Sequence, residues 1–199
     1  MPTLILASSS PRRRELLAQL GVTCRVIAAD IDETPQVGEK PENYVERLAL
    51  AKARKVWTKE LAGKIDATAH TAIPVLAADT CVVCNDTLFG KPQGREEAVQ
   101  MLLQLSGHTH SVLTGTAIVI AGEASSIVCK TDVHFADVDR ALAERYWETG
   151  EPAGKAGGYA IQGLGASFVR GVSGSYSNVV GLPLYETSCL LHNAGIDII

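Results

Sequence analysis

Residues 73–84, Ile-Pro-Val-Leu-Ala-Ala-Asp-Thr-Cys-Val-Val-Cys, are apolar at almost every position and do not alternate with polar ones. A strand with that pattern is buried on both faces, which is characteristic of a sheet covered by helices. The run ends in a turn signal at Asn85-Asp86, and "LFGKP" returns from it. The same stretch isolates one acid. Asp79 follows Ala77-Ala78 and precedes Thr80, Cys81 and Val82, and a carboxylate so flanked must be paired, bind a cation or titrate away from its ordinary value. A salt bridge to a buried lysine is its structural explanation; a place in a reactive site is its functional one.

The flanking sequence supplies the rest of an α/β pattern. Leu4–Ala7 reads as a short buried strand, and Ser10-Pro11 as a helix start, with serine at the N-cap and proline at the first helical position. That helix runs to Leu20 and stops at Gly21. Arg25–Ala29 reads as a second strand before the polar loop "DIDETPQVGEKP", and a long helix runs from Pro41 to about Leu61 with Val45, Leu48, Lys52 and Val56 along one face. Further helices are expected over Arg95–Leu105, Asp139–Thr149 and a last segment ending near Asn193. A β-hairpin turns at Ala121-Gly122-Glu123. Strands mixed with helices and a hairpin predict a mixed sheet in a single domain over residues 1–199.

Composition narrows the function classes. The 199 residues are 46% hydrophobic and 20% charged with a net charge of -4, so the molecule as a whole does not attract nucleic acid, whose phosphates dominate such binding. No apolar run approaches the ~20 residues of a membrane span, and the N-terminus lacks the pattern of a secretory signal. Five cysteines scattered through the chain do not form a disulfide framework, and together these features predict a cytoplasmic protein with reduced thiols.

An anionic ligand must then be drawn by a local cluster, and "SSSPRRR" is the candidate. A helix N-terminus carries partial positive charge and free N–H groups, so Arg12, Arg13 and Arg14 there each cost about 0.3–1 kcal/mol where an acid would help. A bound phosphate reverses the sign, because N–H groups, dipole and guanidinium forks converge on it. Three solvated arginines on an exposed turn are the plainer alternative. Asp30, Asp32 and Glu33 form an acidic loop, Lys52 lies on the apolar helix stripe, and Lys91 sits in "FGKP". Cations beside carboxylates that could carry a hard divalent metal suit phosphoryl chemistry. Cys81 and Cys84 form a lone CxxC with no second pair at zinc spacing, and on a strand they face opposite sides. His108 and His110 are expected on one strand face.

In order along the chain, "LASSSPRRRELL", "DIDET", "RLALAKA", "LAADTCV", "FGKP", "LSGHTHSVLT", "KAGGYAIQG" and "GSYSNVVGLPLYE" resemble the Maf family of nucleoside triphosphate pyrophosphatases. The resemblance implies a homodimer with a strongly twisted mixed sheet, flanking helices and a central nucleotide-binding cleft, as in Maf and ITPase folds. It implies cleavage between the α and β phosphates, with Mg2+ or Mn2+, to a monophosphate and pyrophosphate. By position, Asp79 resembles the proton acceptor. Arg13, Lys52 and Lys91 match phosphate-binding cations, and Glu33 matches an acid of the same site that would share the metal with Asp79. Ser8, Arg12, Arg13, Thr80 and Gln162 match substrate-binding positions. Arg12, Thr80 and Gln162 together resemble the branch that acts on dTTP and UTP, and the carboxamide of Gln162 can donate to and accept from a pyrimidine edge. Many members read "DKAGGY", whereas this chain has Gly154 before Lys155. A nucleotide-binding regulator of septum formation without turnover, and a thiol redox protein using Cys81 and Cys84, are the competing expectations.

Overall fold

The structure, a computed structural model, describes residues 4–61, 73–196 and 198. In chain order its elements are β1 (Leu4–Leu6), α1 (Pro11–Gln19), β2 (Cys24–Val26), α2 (Pro41–Glu60), β3 (Val75–Cys84), β4 (Thr87–Phe89) and α3 (Arg95–Leu105). They continue with β5 (Thr109–Ile120), β6 (Glu123–Phe135), α4 (Arg140–Glu148), two 3-10 turns over 156–158 and 164–168, β7 (Val169–Ser173), α5 (Tyr176–Val180) and α6 (Leu184–Asn193). The strands form one mixed sheet in the order β2-β1-β3-β5-β6-β7, with β4 paired to β3. β1 runs parallel to both β2 and β3, while β4 is antiparallel to β3 and β7 to β6.

Both tight turns fall where the sequence placed them. Asn85 and Asp86 take φ of 47° and 59°, and Ala121 and Gly122 take 50° and 92°, the left-handed pair that a two-residue hairpin connection requires. The predicted helices match to within about two residues at each end. The second strand is shorter than expected, ending at Val26 rather than Ala29.

Within the single α/β sheet architecture expected from the sequence, the chain divides into two compact units. The first holds Met1–Asp79, Thr114–Cys129 and Gly181–Ile199; the second holds Thr80–Leu113 and Lys130–Val180. Strands β3, β5 and β6 each contribute residues to both.

One core cluster of the first unit is rich in small and β-branched side chains, among them Ala49, Ala53, Val56, Ala77 and Ala117. Alanines on α2 and on β3 and β5 leave little bulk between helix and sheet. At Gly115 on β5 the approach is closest: an added Cβ would lie 2.4 Å from the Val45 carbonyl oxygen of α2, so no side chain fits. The second unit is built on bulk. Phe135 meets His110 and Tyr159 edge-on at 4.8 Å each and Phe168 at 6.2 Å, and Tyr146 meets Phe168 at 4.9 Å, the T-shaped geometry aromatic quadrupoles favour.

Candidate active site

Five of the residues singled out from the sequence meet in the first unit. Lys52 projects from the buried stripe of α2 and is 7% exposed, as is Asp79. Its Nζ donates to Asp79 Oδ1 at 2.5 Å and pairs with Glu33 Oε1 at 2.6 Å. One ammonium therefore serves two carboxylates, one buried on β3 and one on the loop after β2, where the Glu33 side chain is 42% exposed. The buried lysine offered as Asp79's structural explanation is thus present, and it is the same lysine that the functional reading selected.

Arg13 completes the cluster from α1. Its Nε donates to the Gly181 carbonyl at 2.8 Å and its Nη1 to Ser8 Oγ at 3.2 Å. Burial depresses the Arg13 guanidinium below its ordinary value; Asp79 opposes that shift, Arg12 adds to it, and Glu33 opposes it again. Arg13 thus lies in the field of both acids and of its neighbour. Arg12 is half-buried, and desolvation lowers it as well, with Glu15 opposing. Among the described residues its buried Nε has no hydrogen-bond partner.

Ser10 departs from expectation. It occupies the N-cap position of α1, yet its side chain makes no capping bond and no acid stands in the first turn. Its backbone N–H instead donates to Ser8 Oγ at 3.2 Å, so Ser8 accepts from both the chain at the helix mouth and Arg13. The helix starts without a side-chain acceptor for its first donors, and cations stand beside them.

The loop bearing Glu33 is held by one face of α2. The Tyr44 hydroxyl donates to the Glu33 carbonyl at 3.0 Å, Arg47 Nη2 to the Thr34 carbonyl at 3.2 Å, and Lys55 to the Asp30 carbonyl. Arg47 also grips both oxygens of Glu39, at 2.6 and 2.7 Å. That hydrogen bonding outweighs desolvation and holds Glu39 down at about 2. Asp32 turns inward to its own loop, accepting from the N–H and hydroxyl of Thr34 at 2.9 and 2.6 Å. Tyr44, Arg47 and Lys55 were not singled out from sequence, although Arg47 stands in the "RLALAKA" block.

Thr80, Lys91 and Gln162 belong to the second unit. Thr80 directly follows Asp79 on β3 and is partly exposed; Lys91 and Gln162 are exposed on loops. The two loops are joined by the Gly157 N–H, which donates to the Gly90 carbonyl at 3.0 Å.

The sulfur and imidazole candidates resolve into packing. None of the five cysteines is in a disulfide, and burial raises the Cys84 thiol, opposite to what a reactive thiolate needs. His108 precedes β5 and is exposed, whereas His110 is buried, so the two do not share an environment as expected. His110 Nε2 pairs with the Tyr159 hydroxyl at 2.8 Å, and burial lowers its value to about 4. Among the described residues no group of three or more His, Cys, Asp or Glu side chains could hold a metal ion. A hard divalent cation such as Mg2+ needs no such cage, because one or two carboxylates plus substrate oxygens and water satisfy it. The donor set of Asp79 and Glu33 fits that pattern.

A mixed α/β sheet with a buried acid, a lysine shared between carboxylates and arginines at an uncapped helix mouth defines a phosphate-handling class of protein. The chain matches the profile of the Maf-like protein family over residues 3–194, and it belongs to that family. It is 51% identical over 189 residues to a protein of Saccharophagus degradans, covering 94% of this chain and 87% of that one. It is 50% identical over 188 residues to one of Pseudoalteromonas atlantica, covering 94% and 95%, and 51% identical over 195 residues to one of Myxococcus xanthus, covering 98% and 94%. Each of these relatives is named dTTP/UTP pyrophosphatase.

Proposed function

We propose that this chain is a nucleoside triphosphate pyrophosphatase that hydrolyses dTTP and UTP to the monophosphate and pyrophosphate. The observation that carries the reading is the Lys52 ammonium held between Asp79 and Glu33, with Arg13 in the field of both acids. Near-full-length likeness to proteins of that name supports the substrate class.

In this reading Asp79 takes the proton of a water that attacks the α-phosphorus in line, and Lys52 orients the carboxylate. Arg12 and Arg13 stabilise charge on the departing pyrophosphate, with Ser8 fixing Arg13 and the helix mouth. Lys91 keeps the role of phosphate cation that the resemblance implies, and Thr80 and Gln162, with Arg12, keep that of selecting the nucleotide. Asp79 and Glu33 would hold Mg2+ or Mn2+, which when bound supplies charge neutralisation on phosphate oxygens. The homodimer and the cytoplasmic setting are parts of the same proposal. No described helix is long and apolar enough to cross a membrane.

Chromatography of the products from dTTP and UTP, with Mg2+ or Mn2+, tests it. Monophosphate plus pyrophosphate is expected, and Asp79→Asn should slow turnover by about 10²–10⁴-fold. Diphosphate plus phosphate would refute the cleavage site. Tight binding without turnover would favour the regulatory alternative, and a wild-type rate in the Asp79 variant would remove Asp79 from this role.

A further inference from the structure

Glu151 stands at the end of α4's following turn and carries no role in the site described above. Its Oε1 accepts from the Tyr146 hydroxyl at 2.6 Å and from the Gly165 N–H at 2.9 Å, and its Oε2 accepts from the Leu164 N–H at 2.9 Å. The Tyr146 hydroxyl in turn accepts from the Ala160 N–H at 3.1 Å. Three backbone donors, one before Gln162 and two after it, thus converge on a single phenol–carboxylate pair. The side chain of Gln162, in the middle of that arc, is exposed.

The glycines of "QGLG" follow from the same geometry. A Cβ on Gly163 would lie 2.1 Å from Glu151 Oε2, and one on Gly165 would lie 2.6 Å from the Tyr146 oxygen. Space that side chains would fill is already taken by the acid and the phenol. Burial pushes Glu151 upward, but hydrogen bonds from Tyr146, Gly165 and Leu164 together draw it below the ordinary carboxylate value. Tyr146 is raised by burial first and by its bond to Glu151 second. At neutral pH the pair is one ionised acceptor and one protonated donor, the arrangement in which charge-assisted bonds are strongest.

We propose that Tyr146 and Glu151 are positioning residues for nucleotide selection: they fix the path of residues 160–165 so that Gln162 is presented to the pyrimidine base. The proposal rests on the reading of Gln162 as a base-contacting residue.

Glu151→Gln and Tyr146→Phe test it in the full-length protein, with kcat and KM measured separately for UTP and CTP, which differ at the edge a carboxamide reads. In each variant the UTP-to-CTP ratio of kcat/KM should fall about tenfold, mostly through KM for UTP, with kcat for UTP within about twofold of the parent. The double variant should fall no further than the worse single one, because both act through one pair. Amide exchange at Leu164 and Gly165 should quicken in Glu151→Gln. An unchanged ratio in folded variants overturns the proposal, as does an equal loss of kcat for both nucleotides at constant ratio, which would mark a brace of the fold and nothing more. Gln162→Ala separates the two layers. If it abolishes the preference for UTP while the other variants keep it, positioning alone fails; if it too leaves the ratio unchanged, base reading by Gln162 fails and positioning with it. Should Glu151→Gln not fold, Tyr146→Phe decides, since it removes one oxygen and keeps the ring.

Discussion

The two units solve opposite packing problems. In the first, alanines and a glycine bring α2 to backbone distance from β5, and a lysine stem threaded along the helix stripe ends between two carboxylates. In the second, aromatic rings fill the interior, and hydroxyls at their rims hold loops by hydrogen bonds. Thin packing places charge, and thick packing places backbone.

Four measurements sharpen or break this contrast. Phe135→Ala should have the largest effect on stability, about 4 kcal/mol by denaturant unfolding, because it removes the ring that meets three others. Its kcat with UTP, taken where the variant is folded, should change little. Lys52→Met keeps the aliphatic stem and leaves Asp79 without its partner, and should cost about 3 kcal/mol at neutral pH together with nearly all activity. Most of that stability should return in Lys52→Met/Asp79→Asn, and if it does not, the loss was packing rather than charge. Gly115→Ala should cost about 2 kcal/mol by driving a methyl into the Val45 carbonyl, and should lower activity although it adds nothing polar.

The most gradual effect is a pH slope. His110 falls from 6.5 to about 4 through burial, with Asp132 opposing and His134 adding. The unfolded chain therefore takes up the proton first as pH falls. Stability from this residue is complete above about pH 6.5 and declines toward pH 4 by about 1 kcal/mol per pH unit. His110→Gln should flatten that part of the curve, and an unchanged slope would assign it to another group.

Much of this was legible in the sequence because it depended on local pattern. The unalternating run around Asp79 announced a strand covered on both faces, and the stripe of Val45, Leu48 and Val56 placed Lys52 inside. The arginines of α1 read correctly as a misfit at a helix mouth, and the unused side chain of Ser10 makes the misfit larger than expected. What escaped was held by partners distant in sequence or by backbone groups that every residue carries. Glu151 gave no signal because its acceptors' donors are amides at 164 and 165 and a phenol on the preceding helix. Arg47 was invisible for a similar reason, binding a carbonyl and an acid on a loop whose path no periodicity describes. The two histidines were expected on one strand face, but the strand begins at Thr109 and leaves His108 outside it.

In a saturation screen, substitutions at Gly163 and Gly165 will score as losses although neither position has a side chain to offer a nucleotide. Such a map will record there the volume of a carboxylate and a phenol, so that two positions owning no atoms in that space will look like ligand contacts to anyone ranking them by sensitivity alone.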